Sequence, residues 1–157
     1  EAEEQAEAAA QAEEDYLNCE AVLAEGAELL SDLDARLDGG LSYDEYDRAV
    51  DGIEKAIPSL IPGEVSEGCE DRVYAPMEKA RTAYAEAEYI WNGCIYDDDE
   101  PSCDVVEPEM QDEWWTASVA VEKMNEGRAA MRDAVDTEEA EADDAETEAE
   151  EAEAVIS

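Results

Sequence analysis

From Tyr16 onward the apolar residues recur at steps of three and four. Tyr16, Cys19, Leu23, Gly26, Leu30, Leu33 and Leu37 follow one another without a break. That spacing places them on one face of a helix, the heptad stripe of a bundle. Tyr43, Tyr46, Val50, Ile53 and Ile57 form a second, shorter stripe. Between the two, Gly39 can take the left-handed conformation that ends a helix. Ser42 has Glu45 three residues on, which is a capping box, and Leu41 can pack on Tyr46 as a hydrophobic staple. Residues 16–57 therefore predict a helical hairpin with a specified turn.

The same rhythm returns twice. Pro58 and Pro62 close the hairpin, and IPSLIPGEVSEG reads as a linker. From Cys69 to Ile95 the inward positions are Val73, Met77, Ala80, Tyr84, Ala87, Trp91 and Cys94. Pro76 interrupts this segment, so a short helical turn, a kink and a main helix starting near Pro76 are expected. After the loop CIYDDDEPSC, Glu107–Pro108 opens the fourth helix. Met110, Trp114, Ala117, Val121, Met124, Arg128, Met131 and Val135 keep its stripe. Met and aromatic residues at this spacing are core, not a ligand box. The fold class is all-α, an antiparallel up-down-up-down four-helix bundle.

The ends differ from the middle. Residues 1–15 and 136–157 are Ala/Glu-rich and carry few large apolar side chains, so the bundle domain spans 16–135 between two acidic extensions. Helix propensity in them is high, but there is little to bury. Up-down-up-down order sends both from the same end. They are expected to fray in dilute buffer and to form a helical stalk when salt screens their repulsion.

Bundle geometry also selects the disulfides. Four cysteines allow three pairings. At 1.5 Å rise per residue, Cys19 and Leu37 lie roughly 27 Å apart along the first helix. Cys19 is then at the far end from the hairpin turn, as is Cys69, whereas Cys94 and Cys103 flank a loop at the near end. Disulfide Cα atoms must sit within about 7 Å, so Cys19–Cys69 and Cys94–Cys103 are the predicted pairs. Two disulfides imply an oxidising compartment, hence an extracellular or cell-surface protein. No signal peptide and no apolar run of membrane-spanning length occurs in the sequence, and Glu1 is expected to be a processed start, with a lipid anchor upstream of it compatible with the same reading.

Charge narrows the partners. The chain holds 48 Asp and Glu against 9 Lys and Arg, with no His. All nine basic residues lie within 16–135, where acidic residues still outnumber them by more than three to one. A net charge of −39 repels itself in dilute buffer. Salt shortens the Debye length to about 3 Å at 1 M, so the composition reads as adaptation to high salt. Nucleic acid and anionic membrane surfaces are excluded as partners, since both need basic patches. A basic protein partner is the natural complement.

Two segments could hold calcium. DARLDGGLSYDE, from Asp34 to Glu45, resembles an EF-hand loop. Asp34 would be its first ligand, Asp38 its fifth position, Gly39 the bend, Ser42 the ninth position and Glu45 the bidentate twelfth. Arg36 breaks the pattern by placing a cation where an oxygen is needed, and the helix stop and cap explain the same residues. The second is Asp97, Asp98, Asp99 and Glu100, with Asp104 nearby, in the loop between Cys94 and Cys103. Consecutive carboxylates point in different directions, and a solvated acidic turn accounts for them.

LSDLDARLDGGLSYDEYDRAV, the cysteine before PMEKARTAYAEAEYIWNGC, and EPEMQDEWWTAS together resemble a group of small secreted or lipoprotein-type helical proteins of actinobacteria. The resemblance covers roughly residues 16–130 and omits both acidic extensions. It implies a disulfide-stapled helical fold outside the cytoplasm, with no assigned activity and no catalytic residue. The residues themselves supply none either. Without His no general base is poised near neutrality, and no nucleophile elbow, P-loop or dinucleotide fingerprint occurs. Thiols held in disulfides leave zinc no usual ligands. The expected function is a non-enzymatic structural or interaction module without a cofactor; calcium binding is the alternative.

Overall fold

The computed structural model describes the backbone of residues 2–156 and the side chains of residues 2–143. Every regular element among them is helical: α1 (Ala2–Asp38), α2 (Tyr43–Ala56), the single turn α3 (Glu67–Cys69), a π-helical turn (Glu70–Tyr74), α4 (Ala75–Tyr96) and α5 (Cys103–Ile156). No strand occurs among the described residues.

The stripes read from the sequence are the core. Leu23, Leu30, Leu33, Tyr46, Ile53, Met77, Tyr84 and Met124 are all fully buried, and the other two methionines in the stripe, Met110 and Met131, are buried with them. Both disulfides form as expected. Cys19–Cys69 spans 5.8 Å between Cα atoms and Cys94–Cys103 spans 5.0 Å.

Side-chain bonds show how the helices pair. Cys19–Cys69 sets the end of α3 beside the middle of α1. At the other end, Asn92 of α4 donates to the Tyr43 hydroxyl of α2 at 2.8 Å. α5 bonds first to α2 and then to α1: Trp114 reaches Tyr46 of α2, while Asn125 reaches Ser31 and Arg128 reaches Glu20 of α1. The Arg128–Glu20 pair is bidentate, with both N–H donors 2.9 Å from the two carboxylate oxygens. A fork of this kind fixes register as well as contributing energy.

Several boundaries depart from expectation, each for a local reason. Gly40, not Gly39, takes the left-handed conformation, at φ +84°. α1 continues through Asp38, and its end tightens through bonds from the Gly39 and Gly40 N–H to the Arg36 and Leu37 carbonyls. The capping box is present in altered form. Ser42 Oγ accepts from the Glu45 N–H at 3.2 Å and donates to the Glu45 carboxylate at 2.9 Å.

α5 begins at Cys103 rather than at Glu107–Pro108. The Ser102 carbonyl collects the N–H groups of Val105 and Val106, while Val106 is buried, so the helix starts before the proline. Pro108 then withholds one N–H from the first turns of the helix. Around Pro76 the expected short turn and main helix are present, as α3 and as α4 starting at Ala75. The chain passes from α3 to α4 through the π-helical turn, and Pro76 falls in the first turn of α4, where its missing N–H is tolerated.

The linker is tied down. Asn18 donates to the Glu64 carbonyl at 2.9 Å, and the Tyr74 hydroxyl donates to the Pro58 carbonyl at 3.1 Å.

The acidic extensions are helical and continuous with α1 and α5. Ala9 and Ala142 are buried. The Arg128–Glu20 register puts these two alanines at roughly one level along the helix pair. The N-terminal extension is therefore not wholly solvated, because small alanine faces let the helices stay close.

Candidate interaction face

At the hairpin-turn end, aromatic side chains from α2, α4 and α5 stack on one another. Tyr43 meets Trp91 edge-on with ring centroids 5.4 Å apart, and Trp91 meets Trp114 at 5.9 Å. Tyr46 lies among them, buried and fully bonded. Its hydroxyl donates to the Tyr84 carbonyl at 2.7 Å and accepts from Trp114 Nε1 at 3.0 Å. Burial pushes the Tyr46 hydroxyl pKa well up. Tyr84 is raised too, first by burial and then by the nearby Asp34 carboxylate.

This aromatic layer continues outward into solvent. Tyr96 packs edge-on against Tyr43 at 6.0 Å, yet is 67% exposed, and Tyr89 is 75% exposed. Both line a groove between the end of α4 and the start of α5, alongside Glu86, Asp97, Glu100 and Glu109. The Cys94–Cys103 bond joins the two walls, and Cys94 itself lines the groove. Behind it, Glu88 accepts from the Tyr43 hydroxyl at 3.0 Å. Partial burial raises the Glu88 carboxyl pKa, and the neighbouring Asp47 carboxylate adds to the rise.

Aromatic faces beside carboxylates suit a cationic side chain. The rings attract the cation through their quadrupole and the carboxylates through charge. The position of these tyrosines was open to sequence reasoning. Tyr89 falls five residues after Tyr84 and two before Trp91, out of phase with the buried stripe. Trp115 is out of phase in the same way and is 71% exposed, while its neighbour Trp114 turns inward.

The calcium candidates lie elsewhere and are differently arranged. Asp34 and Asp38 sit on the last turns of α1, not on a loop. Ser42 caps α2, and Glu45 is engaged by Ser42 and by Arg36 at 3.6 Å. In the disulfide loop, Asp97 accepts from the Asp99 N–H at 3.0 Å, and Asp97, Asp98, Asp99 and Glu100 are all exposed. Among the described residues, no three Asp, Glu, Cys or His side chains converge on a position that could hold a metal ion. No helix among them is long and apolar enough to cross a membrane.

No protein-family model matches the chain, and no curated protein or solved structure is significantly similar to it.

Proposed function

We propose that this chain is a non-enzymatic interaction module of the extracellular or cell-surface space, adapted to high salt. On this reading it is an up-down-up-down four-helix bundle, stapled by two disulfides, that presents its turn end to a basic protein partner. The observation that carries the proposal is the joining of exposed Tyr89 and Tyr96 with four carboxylates in one groove. A lysine or arginine of the partner would enter between them.

High salt makes that combination useful. Attraction to a generally acidic surface fades within a few ångströms in molar salt. Contact with an aromatic face depends on close approach and on partial loss of water, so it persists. The specific groove is then selected over the rest of the acidic surface.

The test is calorimetric titration of an alternating Lys/Arg octapeptide in molar KCl. Binding is expected with the unaltered protein, weakened about tenfold by Tyr89→Ser with Tyr96→Ser, since two cation–π contacts contribute about 0.5–1 kcal/mol each. Both residues are exposed, so folding is not at stake. Equal binding by the double variant, or none by the unaltered protein, would remove this groove from the proposal.

A further inference from the structure

The nine basic residues are scarce enough for each to be followed. Arg36, Lys55, Arg81 and Arg128 all close ion pairs with carboxylates. Five close none among the described residues, although acidic residues outnumber basic ones more than fivefold. Arg48 bonds the Asp44 carbonyl, Arg132 stands outside the groove described next, and Arg72, Lys79 and Lys123 remain. These three line one groove, and two of them are among the three lysines of the chain. In so acidic a molecule, three unpaired cations in one place are the anomaly.

The groove runs between α5 and the junction of the π-helical turn with α4. Its floor is small and apolar, from Ala75, Pro76, Val119, Ala120 and Ala130. Local sequence explains why it exists. Pro76 has no N–H to offer the Arg72 carbonyl, four residues before it. That carbonyl meets Gly127 of α5 instead, so closely that a Cβ on Gly127 would stand 2.1 Å from it. The backbones touch there, and small side chains on either side leave an open channel. Asp71 and Glu126 lie on the rim without closing an ion pair with the cations.

We infer that this groove binds a single-chain amphiphile with a carboxylate head and an alkyl tail. The cations provide the complement for the head, and the Ala/Val/Pro floor for the tail. A volume of about 530 Å³ falls in the range of small-molecule sites. From Val119 to Ala130 the helix rises about 16 Å, a length that an extended chain of about twelve carbons spans. An extended acidic peptide fits less well, because helical walls have no free backbone N–H to pair with its carbonyls. The site is independent of the tyrosine groove at the other end of α4. π-helical turns recur at functional sites, which agrees with its placement.

Dodecanoate, below its micelle concentration and in molar KCl, is the probe for calorimetric titration, with acetate as the headgroup-only arm. Saturable one-to-one binding of dodecanoate is expected, with acetate silent. Lys79→Gln with Lys123→Gln should weaken it at least about fivefold, and Lys55→Gln, outside the groove, should not. Val119→Glu should abolish it by placing a carboxylate on the floor. All four positions are exposed or half-buried, and circular dichroism of each variant is the check on its folding. Absence of dodecanoate binding, equal binding of acetate, or equal effects of the groove and Lys55 variants would overturn the inference.

Discussion

Replacing Cys19 and Cys69 together with alanine is expected to destabilise the protein by about 4 kcal/mol, in the range that loop-closure entropy gives for a fifty-residue loop. The bond joins residues 50 apart, whereas Cys94–Cys103 joins residues 9 apart. The shorter loop should contribute about 3 kcal/mol by the same relation. One further feature favours the larger value for the first pair. Both sulfurs are buried in the core, so alanine leaves a gap beside Leu23 and Val73 in the same cluster. Urea unfolding in molar KCl would measure both variants on one scale. A smaller loss for Cys19/Cys69 than for Cys94/Cys103 would mean that the denatured chain is already held compact by something else.

Gly127→Ala is expected to cost about 3 kcal/mol, at the upper end for overpacking, even though alanine favours a helix by up to about 1 kcal/mol. The added Cβ would lie 2.1 Å from the Arg72 carbonyl oxygen and 2.7 Å from its carbon. Backbone atoms in a helical turn cannot rotate away, so α5 must move off the π-helical turn or the turn must rewind. Gly26→Ala is the informative comparison. There the nearest atom is a side-chain carbon, Ile57 Cγ1, at 2.7 Å. Ile57 is buried and β-branched, so it gives way only by shifting within the core, and the gain in helix propensity offsets part of that cost, leaving a loss of about 1–2 kcal/mol. Thermal unfolding of the two variants side by side checks the contrast. Equal effects would show that the Arg72–Gly127 approach is not a fixed feature of the fold.

Periodicity carried most of the fold because the core is made of stripes. Leu23, Leu30, Leu33, Met77, Tyr84 and Met124 were legible from three–four spacing alone, and helical rise was enough to pair the cysteines. What periodicity could not carry was decided by single carbonyls and N–H groups. Whether Gly39 or Gly40 turns the chain depends on how far α1 runs before its end tightens. Pro108 was readable as a helix start, but Ser102 and the adjacent disulfide begin α5 earlier. Pro76 was readable as an interruption, but not as a π-helical turn that frees Arg72 to meet Gly127, 55 residues further on. The two grooves were hidden for the same reason. Each is assembled from side chains on two helices, and their out-of-phase residues, Tyr89 and Tyr96 in one and Lys79 and Lys123 in the other, look like ordinary solvent-facing positions when each helix is read alone.

The most direct test of a salt-adapted interaction module is thermal melting in dilute buffer and in molar KCl, each with and without millimolar calcium. Molar KCl is expected to raise the midpoint, because screening removes the self-repulsion of the acidic surface, and calcium is expected to add nothing in molar KCl. A midpoint indifferent to KCl would contradict the adaptation to salt. A rise with calcium in molar KCl would contradict the reading in favour of a chelating site, to be sought at Asp34, Asp38 and Glu45 and then in the Asp97–Glu100 loop.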